Sequence, residues 1–160
     1  MSDGPCEVWF YHLERTALDR ALPQLLEKTV ARGWRALVRT GQPDHLEAID
    51  QGLWTYNDDS FLAHGLSSEP LADRQPILLS GPIEGEGGDG PAPNGAQALF
   101  LIEGAEAGDL SSYERCILLF DGGDETALNA ARARWSRFKA AGHPVSYWKQ
   151  SVEGAWGKQA

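Results

Sequence analysis

Short apolar runs rich in β-branched and aromatic residues alternate along this chain with segments of helical hydrophobic periodicity. The first run, at 7–13, is followed by apolar residues at helical spacing, and Gly33 ends the helix that they predict. The other predicted elements are strands at 34–38, 76–79, 97–102, 115–120 and 145–149 and helices at 43–53 and 124–141. This alternation predicts an α/β domain with a mostly parallel or mixed sheet.

One domain, at residues 1–149, accounts for most of the 160 residues. Within it, residues 81–95 hold six glycines, three prolines and three acidic residues, which predicts a flexible surface loop. Residues 150–160 are predicted to be a C-terminal tail. Cys6 and Cys116 lie in apolar runs and are predicted to be buried, reduced thiols. We expect a cytoplasmic protein with no membrane partner, because no segment resembles a signal peptide and no apolar run approaches about 18 residues.

The charge of the chain changes sign near residue 115. The whole chain has 14 basic and 23 acidic residues, for a net charge of −9, but residues 1–114 carry −12 and residues 115–160 carry +3. Five basic residues and no acidic one lie between Arg132 and Lys149. A basic, aromatic segment in an acidic protein indicates a local surface for an anionic partner and not a broad nucleic-acid-binding face.

The predicted last helix places these basic residues beside an apolar stripe. At about 100° per residue, the stripe consists of Leu128, Ala131, Trp135 and Phe138. Arg132 and Lys139 border it on one side, and Arg134 and Arg137 border it on the other. The helix is either simply packed by its stripe, with solvated charges at the margins, or it forms a small apolar pocket rimmed by Arg132 and Lys139. Such a pocket suits a ligand with an apolar group and a carboxylate. The following strand adds three residues nearby: Tyr147, Trp148 and Lys149.

A second aromatic segment lies at residues 53–65, where Trp54, Tyr56 and Phe61 occur in a turn-rich stretch. These aromatic residues either cover the edge of the sheet or form a surface for a protein partner.

The sequence offers little support for catalysis or cofactor binding. Gly122 and Gly123 are predicted to form a strand–turn–helix junction with Asp124 as the helix N-cap. No P-loop signature is present, and acidic side chains at the start of the helix would repel phosphate. The four histidines are scattered, and no pair of His or Cys has metal-ligand spacing. We therefore expect no nucleotide, metal or other cofactor, and no catalysis by the chain alone.

The order of several motifs resembles the chi subunit family of bacterial DNA polymerase III, a clamp-loader accessory protein. The resemblance covers about residues 6–149. It includes VWFYHL at 8–13, ARG at 31–33, LW at 53–54 with SFLAHG at 60–65, QPI at 75–77 and ARARW at 131–135. The segment from LW to SFLAHG is the most specific of these motifs.

The resemblance implies a Rossmann-like, three-layer domain that lacks a nucleotide-binding loop. It also implies binding to the C-terminal tail of single-stranded DNA-binding protein, which ends in aspartates, Pro and Phe. By position, Arg132 matches the family's principal basic residue, Trp135 replaces a Tyr, and Ser136 stands where a Lys often occurs. The residues expected at the tail site are Arg132, Trp135, Lys139 and Trp148. A second surface, comprising Trp54, Phe61 and His64, is implied for a clamp-loader subunit or a helicase.

Three functions are compatible with these patterns. The first is a non-catalytic replisome adaptor, which requires a pocket beside Trp135. The second is a small stand-alone α/β enzyme, which requires polar residues converging on a cleft at the C-terminal ends of the strands. The third is direct binding of single-stranded DNA, which requires a long basic groove. We favour the adaptor and expect no sequence-specific binding of nucleic acid.

Overall fold

The computed structural model describes residues 5–14, 17–55, 63–81, 92–108, 110–150 and 156–159. Its helices are α1 (Leu18–Ala31), α2 (Leu46–Thr55) and α3 (Glu125–Ala140), with short 3-10 turns at Pro43–His45 and Ala72–Arg74. Its strands are β1 (Glu7–Leu13), β2 (Ala36–Thr40), β3 (His64–Leu66), β4 (Ile77–Ser80), β5 (Ala98–Ile102), β6 (Arg115–Asp121), β7 (Val145–Gln150) and β8 (Trp156–Lys158).

The described strands form one sheet in the order β3-β4-β2-β5-β6-β1-β7-β8. Every pair in it is parallel except β7 with β8, so the sheet is mixed and mostly parallel. Apolar clusters cover both of its faces, with α1 on one face and α3 on the other. The chain therefore has the predicted three-layer, Rossmann-like α/β architecture.

Alternation along β1 shows how the sequence builds these layers. Successive side chains of a strand point to opposite faces of the sheet. Phe10 is completely buried in the cluster that contains Phe138 of α3, whereas Tyr11 is buried in the cluster that contains Leu22 of α1. Because the central strands are covered on both faces, they are nearly continuous apolar runs, as in the buried parallel strands of other α/β proteins.

The start of α3 confirms the predicted cap. The carboxylate of Asp124 accepts hydrogen bonds from the backbone N–H groups of Thr126 at 3.0 Å and Ala127 at 3.4 Å. Gly142, with a φ of +93°, follows the last helical turn in a conformation that glycine adopts without a steric penalty. The cap and this glycine fix both ends of the helix that carries the candidate site.

Two strands were not predicted from the sequence. Strand β3 has only three residues, and β8 pairs with β7 in a region where the sequence predicts a tail. Trp156 of β8 packs its ring edge-on against Tyr11, with 4.9 Å between the ring centroids. Residues 156–158 therefore belong to the sheet, which corrects the prediction of a tail for this part of the chain.

The ends of the predicted 81–95 loop are the only parts of it that the structure describes. Asn94 is buried, and its side-chain amide donates to the carbonyl oxygens of Ala36 at 3.1 Å and Gln75 at 2.9 Å. This end is therefore anchored to the sheet. The flexibility of the loop stays a prediction, because residues 82–91 lie outside the described ranges.

Both cysteines are free and buried, as predicted. Burial raises the pKa of the Cys6 thiol to about 12 and raises the pKa of the Cys116 thiol as well. The thiolate is the reactive form of cysteine, so both residues are inert core side chains at neutral pH.

Candidate functional site

A pocket of about 460 Å³ lies between α3 and the β1–β7 part of the sheet. Its lining residues come from three elements and are mostly apolar: Phe10, Leu128, Ala131, Arg132, Trp135, Ser136 and Tyr147. A volume of this size is near the lower end of the range for ligand pockets and suits one or two side chains of a peptide.

Aromatic side chains form the wall and floor of the pocket. Trp135 is half-buried, and its ring centroid lies 5.4 Å from that of Phe10 and 6.1 Å from that of Tyr147. The interplanar angles of 59° and 72° are in the range that aromatic pairs prefer. Leu128, Ala131, Trp135 and Phe138 all pack with the core on this face, which confirms the predicted apolar stripe.

Two exposed cations lie on the pocket's side of α3. Arg132 lines the pocket, and Lys139 follows it by about two helical turns on the same side of the helix. Among the described residues, no carboxylate forms an ion pair with either cation. Both charges are therefore available to an anionic ligand.

The other two basic residues of the helix have carboxylate partners. Arg134 and Arg137 both reach the carboxylate of Glu106, with N···O distances of 3.0 Å and 3.4 Å. Arg134 also donates to the carbonyl oxygen of Ala105 and is only 8% exposed. The prediction that Arg134 lies on a solvated border is wrong, because its long side chain turns inward and anchors the segment after β5.

Trp148 is not near this pocket. It stacks on Trp9 on the opposite face of the sheet, with 4.9 Å between the ring centroids, and packs within the cluster that contains α1. The expectation that Trp148 contributes to the same site as Trp135 is therefore corrected. Its neighbour Tyr147 lines the pocket instead, because adjacent residues of β7 point to opposite faces.

The last turn of α2 carries an exposed aromatic residue, Trp54. Trp54 is 44% exposed, and its ring centroid lies 4.1 Å from that of His64. The His64 side chain is 0% exposed, with its Nε2 3.0 Å from the Oδ1 of Asp50. The His64 ring therefore packs against Trp54, and its own side chain is too buried to contact a partner. Phe61 lies outside the described residues.

A larger cleft, of about 930 Å³, opens at the C-terminal edge of the sheet, where α/β enzymes usually place their sites. Five carboxylates line it: Glu14, Glu103, Glu106, Asp121 and Asp124. At its Gly122-Gly123 turn, the N–H of Gly123 donates to Asp121 Oδ1 at 2.8 Å, and Asp124 caps α3. These acids occupy the N–H groups that a phosphate would need. No cluster of His, Cys, Asp or Glu suited to a metal occurs in the described ranges.

None of the described helices combines the length and apolar character needed to cross a bilayer.

The fold and the pocket together define a Rossmann-like α/β domain. Acidic side chains accept hydrogen bonds from the N–H groups at its strand–helix turn, and its last helix carries an arginine that lines an apolar pocket. The family model described as "DNA polymerase III chi subunit, HolC" matches residues 6–146, and the chain belongs to this family. A "Probable DNA polymerase III subunit chi" from Rickettsia prowazekii (strain Madrid E) is 24% identical over 110 residues. That match covers 69% of this chain and 62% of the relative, less than two thirds of the relative's length.

Proposed function

We propose that this chain is a non-catalytic replisome adaptor that binds the acidic C-terminal tail of single-stranded DNA-binding protein beside Trp135. The observation that carries the proposal is an apolar pocket lined by Arg132, with Lys139 about two helical turns further along the same side of α3. No carboxylate among the described residues forms an ion pair with either cation. A ligand with a terminal apolar side chain and several carboxylates satisfies both features. Membership of the chi family supports a role in the DNA polymerase III assembly.

The spacing of the two cations suits an extended peptide that ends in the pocket. Lys139 follows Arg132 by seven positions in the α-helix, an axial distance of about 10 Å. An extended peptide covers this distance in about three residues. With the terminal Phe ring beside Trp135 and its carboxylate at Arg132, the aspartates upstream of Pro lie within reach of Lys139.

The charge of the remaining surface favours this position for the tail. The larger cleft is lined by five carboxylates, and an acidic peptide is repelled there. The protein as a whole is also negative, with a net charge of −9. Attraction therefore depends on the local cations of α3, and this arrangement makes binding specific but weak.

The first test is a titration of the protein with a labelled tail peptide. We expect a Kd on the order of micromolar, corresponding to about −8 kcal/mol, as suits a small pocket with two exposed cations. A peptide of the same composition with its terminal Phe moved to the N-terminus serves as the control. No binding of the tail at several hundred micromolar would contradict the proposal.

The exposed Trp54 is proposed as the centre of a second surface, for a clamp-loader subunit or a helicase. Aromatic residues are enriched among the side chains that contribute most to protein interfaces, and exposed tryptophans are uncommon. Trp54 is also the largest of the exposed apolar side chains in the described part of the chain. Its place at the end of α2, supported by His64, holds the ring in a fixed position for a partner.

We expect Trp54→Ala to weaken pull-down of clamp-loader or helicase components at least tenfold while lowering the free energy of unfolding by less than about 1.5 kcal/mol. Truncating a buried Trp would cost about 3–5 kcal/mol. The control is Val30→Ala, which changes an exposed apolar residue on a different helix, α1. It should affect neither the pull-down nor the free energy of unfolding. Unchanged pull-down with Trp54→Ala would exclude this surface, and a loss of several kcal/mol would make Trp54 a structural residue.

A further inference from the structure

A chain of hydrogen bonds connects the pocket to a buried histidine. His12 of β1 is only 6% exposed. Its Nδ1 contacts the hydroxyl of Tyr147, a lining residue of the pocket, and its Nε2 lies 3.1 Å from Oε1 of Glu14. The ring also packs directly on Gly122, where an added Cβ would collide with the imidazole. The position of His12 is therefore fixed by the backbone and by both of its ring nitrogens.

The chemistry of Glu14 determines the direction of these hydrogen bonds. An ionised carboxylate can only accept, so Nε2 of the neutral imidazole carries the proton, and Nδ1 is then an acceptor. The Tyr147 hydroxyl must therefore donate to His12. In this state its oxygen presents only lone pairs to the pocket, which disfavours a carboxylate at that point.

Protonation of His12 reverses the second hydrogen bond. An imidazolium donates from both nitrogens, so the Tyr147 oxygen becomes the acceptor and its own hydrogen is released. That hydrogen is then free to bond to a carboxylate in the pocket. Burial raises the pKa of Tyr147, although the charge of Arg132 acts in the opposite direction, so the hydroxyl keeps its proton at neutral pH.

We infer that Tyr147 is a further binding residue for the acidic ligand and that His12 is the positioning residue that decides whether Tyr147 donates to it. The inference rests on the proposed function, because the ligand is the same tail peptide. It adds a pH dependence to that function: the affinity for a carboxylate-terminated peptide increases as His12 becomes protonated.

The charges around His12 come from four elements. Glu14 follows β1, and Lys149 of β7 lies 3.5 Å from its carboxylate. Asp121 ends β6 beside Leu13, and Arg132 of α3 is near enough to affect Tyr147. Glu14 contacts the imidazole directly, whereas Lys149 and Arg132 bring positive charge to the same region. Protonation of the peptide's own carboxylates would weaken binding as the pH falls. The proposed protonation of His12 would strengthen binding over the same change, so the two effects can be told apart.

The test is a titration with the tail peptide at several pH values from 8 to 5.5, with wild type, Tyr147→Phe and His12→Phe. Tyr147→Phe removes only the hydroxyl, and His12→Phe keeps an aromatic ring without donors. We expect the affinity of wild type to increase about three- to tenfold as the pH falls, because histidine changes charge between about pH 5 and 8. Both variants should show no such increase. The melting temperature reports whether each variant is folded, and if His12→Phe is not, Tyr147→Phe decides alone.

The outcomes separate this inference from the proposed function. Binding by wild type that does not change with pH, or an undiminished increase in Tyr147→Phe, overturns the role of His12 and Tyr147 and leaves the tail site in place. Absence of binding by wild type at every pH overturns the proposed function itself.

Discussion

Arg132→Glu should weaken binding of the tail peptide at least about thirtyfold, or about 2 kcal/mol, without unfolding the domain. Arg132 lines the pocket and has no ion-pair partner among the described residues. Its replacement puts a negative charge where the terminal carboxylate of the ligand is expected. The side chain is exposed, so its removal disturbs no core contact and the melting temperature should hardly change.

Arg137→Glu is the matched control, because it makes the same change of charge on the same helix. Arg137 is 61% exposed and reaches Glu106, away from the pocket. Arg137 is on the other border of the helix, and exposed charges are screened over about 8 Å at physiological salt, so its reversal should alter affinity less than about threefold. Similar losses in both variants would show that only the general charge of α3 matters. Wild-type binding by Arg132→Glu would exclude the site.

The architecture of the pocket's helix could be predicted because its determinants are local. The apolar stripe, the Asp124 cap and the glycine that ends the helix all depend on spacing within 20 residues. The positions of Arg132, Trp135 and Lys139 around the helix follow from the same periodicity. The alternation of strands and helices likewise gives the α/β class, since parallel strands require crossover connections.

The parts of the site that were not predicted depend on contacts between distant residues. Helical periodicity places Arg134 at a margin, but its burial requires the carbonyl oxygen of Ala105, which belongs to a different element. The pairing of β7 with β1 determines which β7 side chains face α3. In that pairing Phe10 is beside Tyr147, and Tyr11 is beside Trp148. Alternation along a strand shows that Tyr147 and Trp148 point to opposite faces of the sheet. It does not show which of them faces α3 until the register is known.

Short strands present a similar difficulty. Strand β8 contains only Trp156–Lys158, and it follows residues whose composition resembles a tail. Its stability comes from pairing with β7 and from packing of Trp156 on Tyr11, more than 140 residues earlier in the chain. Propensity within the segment itself carries almost no information about such a contact.

Deletion of the terminal Phe from the tail peptide should reduce its affinity at least tenfold. Full burial of a Phe side chain contributes about 1.5–3 kcal/mol, and about 1.4 kcal/mol corresponds to a factor of ten. The pocket beside Trp135 has a floor of Phe10 and a wall of Tyr147, so it offers the ring aromatic contacts as well as burial. The deletion also moves the terminal carboxylate away from Arg132.

This deletion distinguishes a pocket from a purely electrostatic surface, since the truncated peptide keeps all of its aspartates. A basic surface that binds DNA would attract both peptides equally, and salt would weaken both interactions. The decisive measurement is therefore a parallel titration of the full peptide, the truncated peptide and a single-stranded oligonucleotide at physiological salt. We expect the full peptide to bind, the truncated peptide to bind at least ten times more weakly, and the oligonucleotide to show negligible affinity. Equal binding of the two peptides, or tight binding of the oligonucleotide, would mean that the exposed cations of α3 attract anions without any contribution from the aromatic pocket.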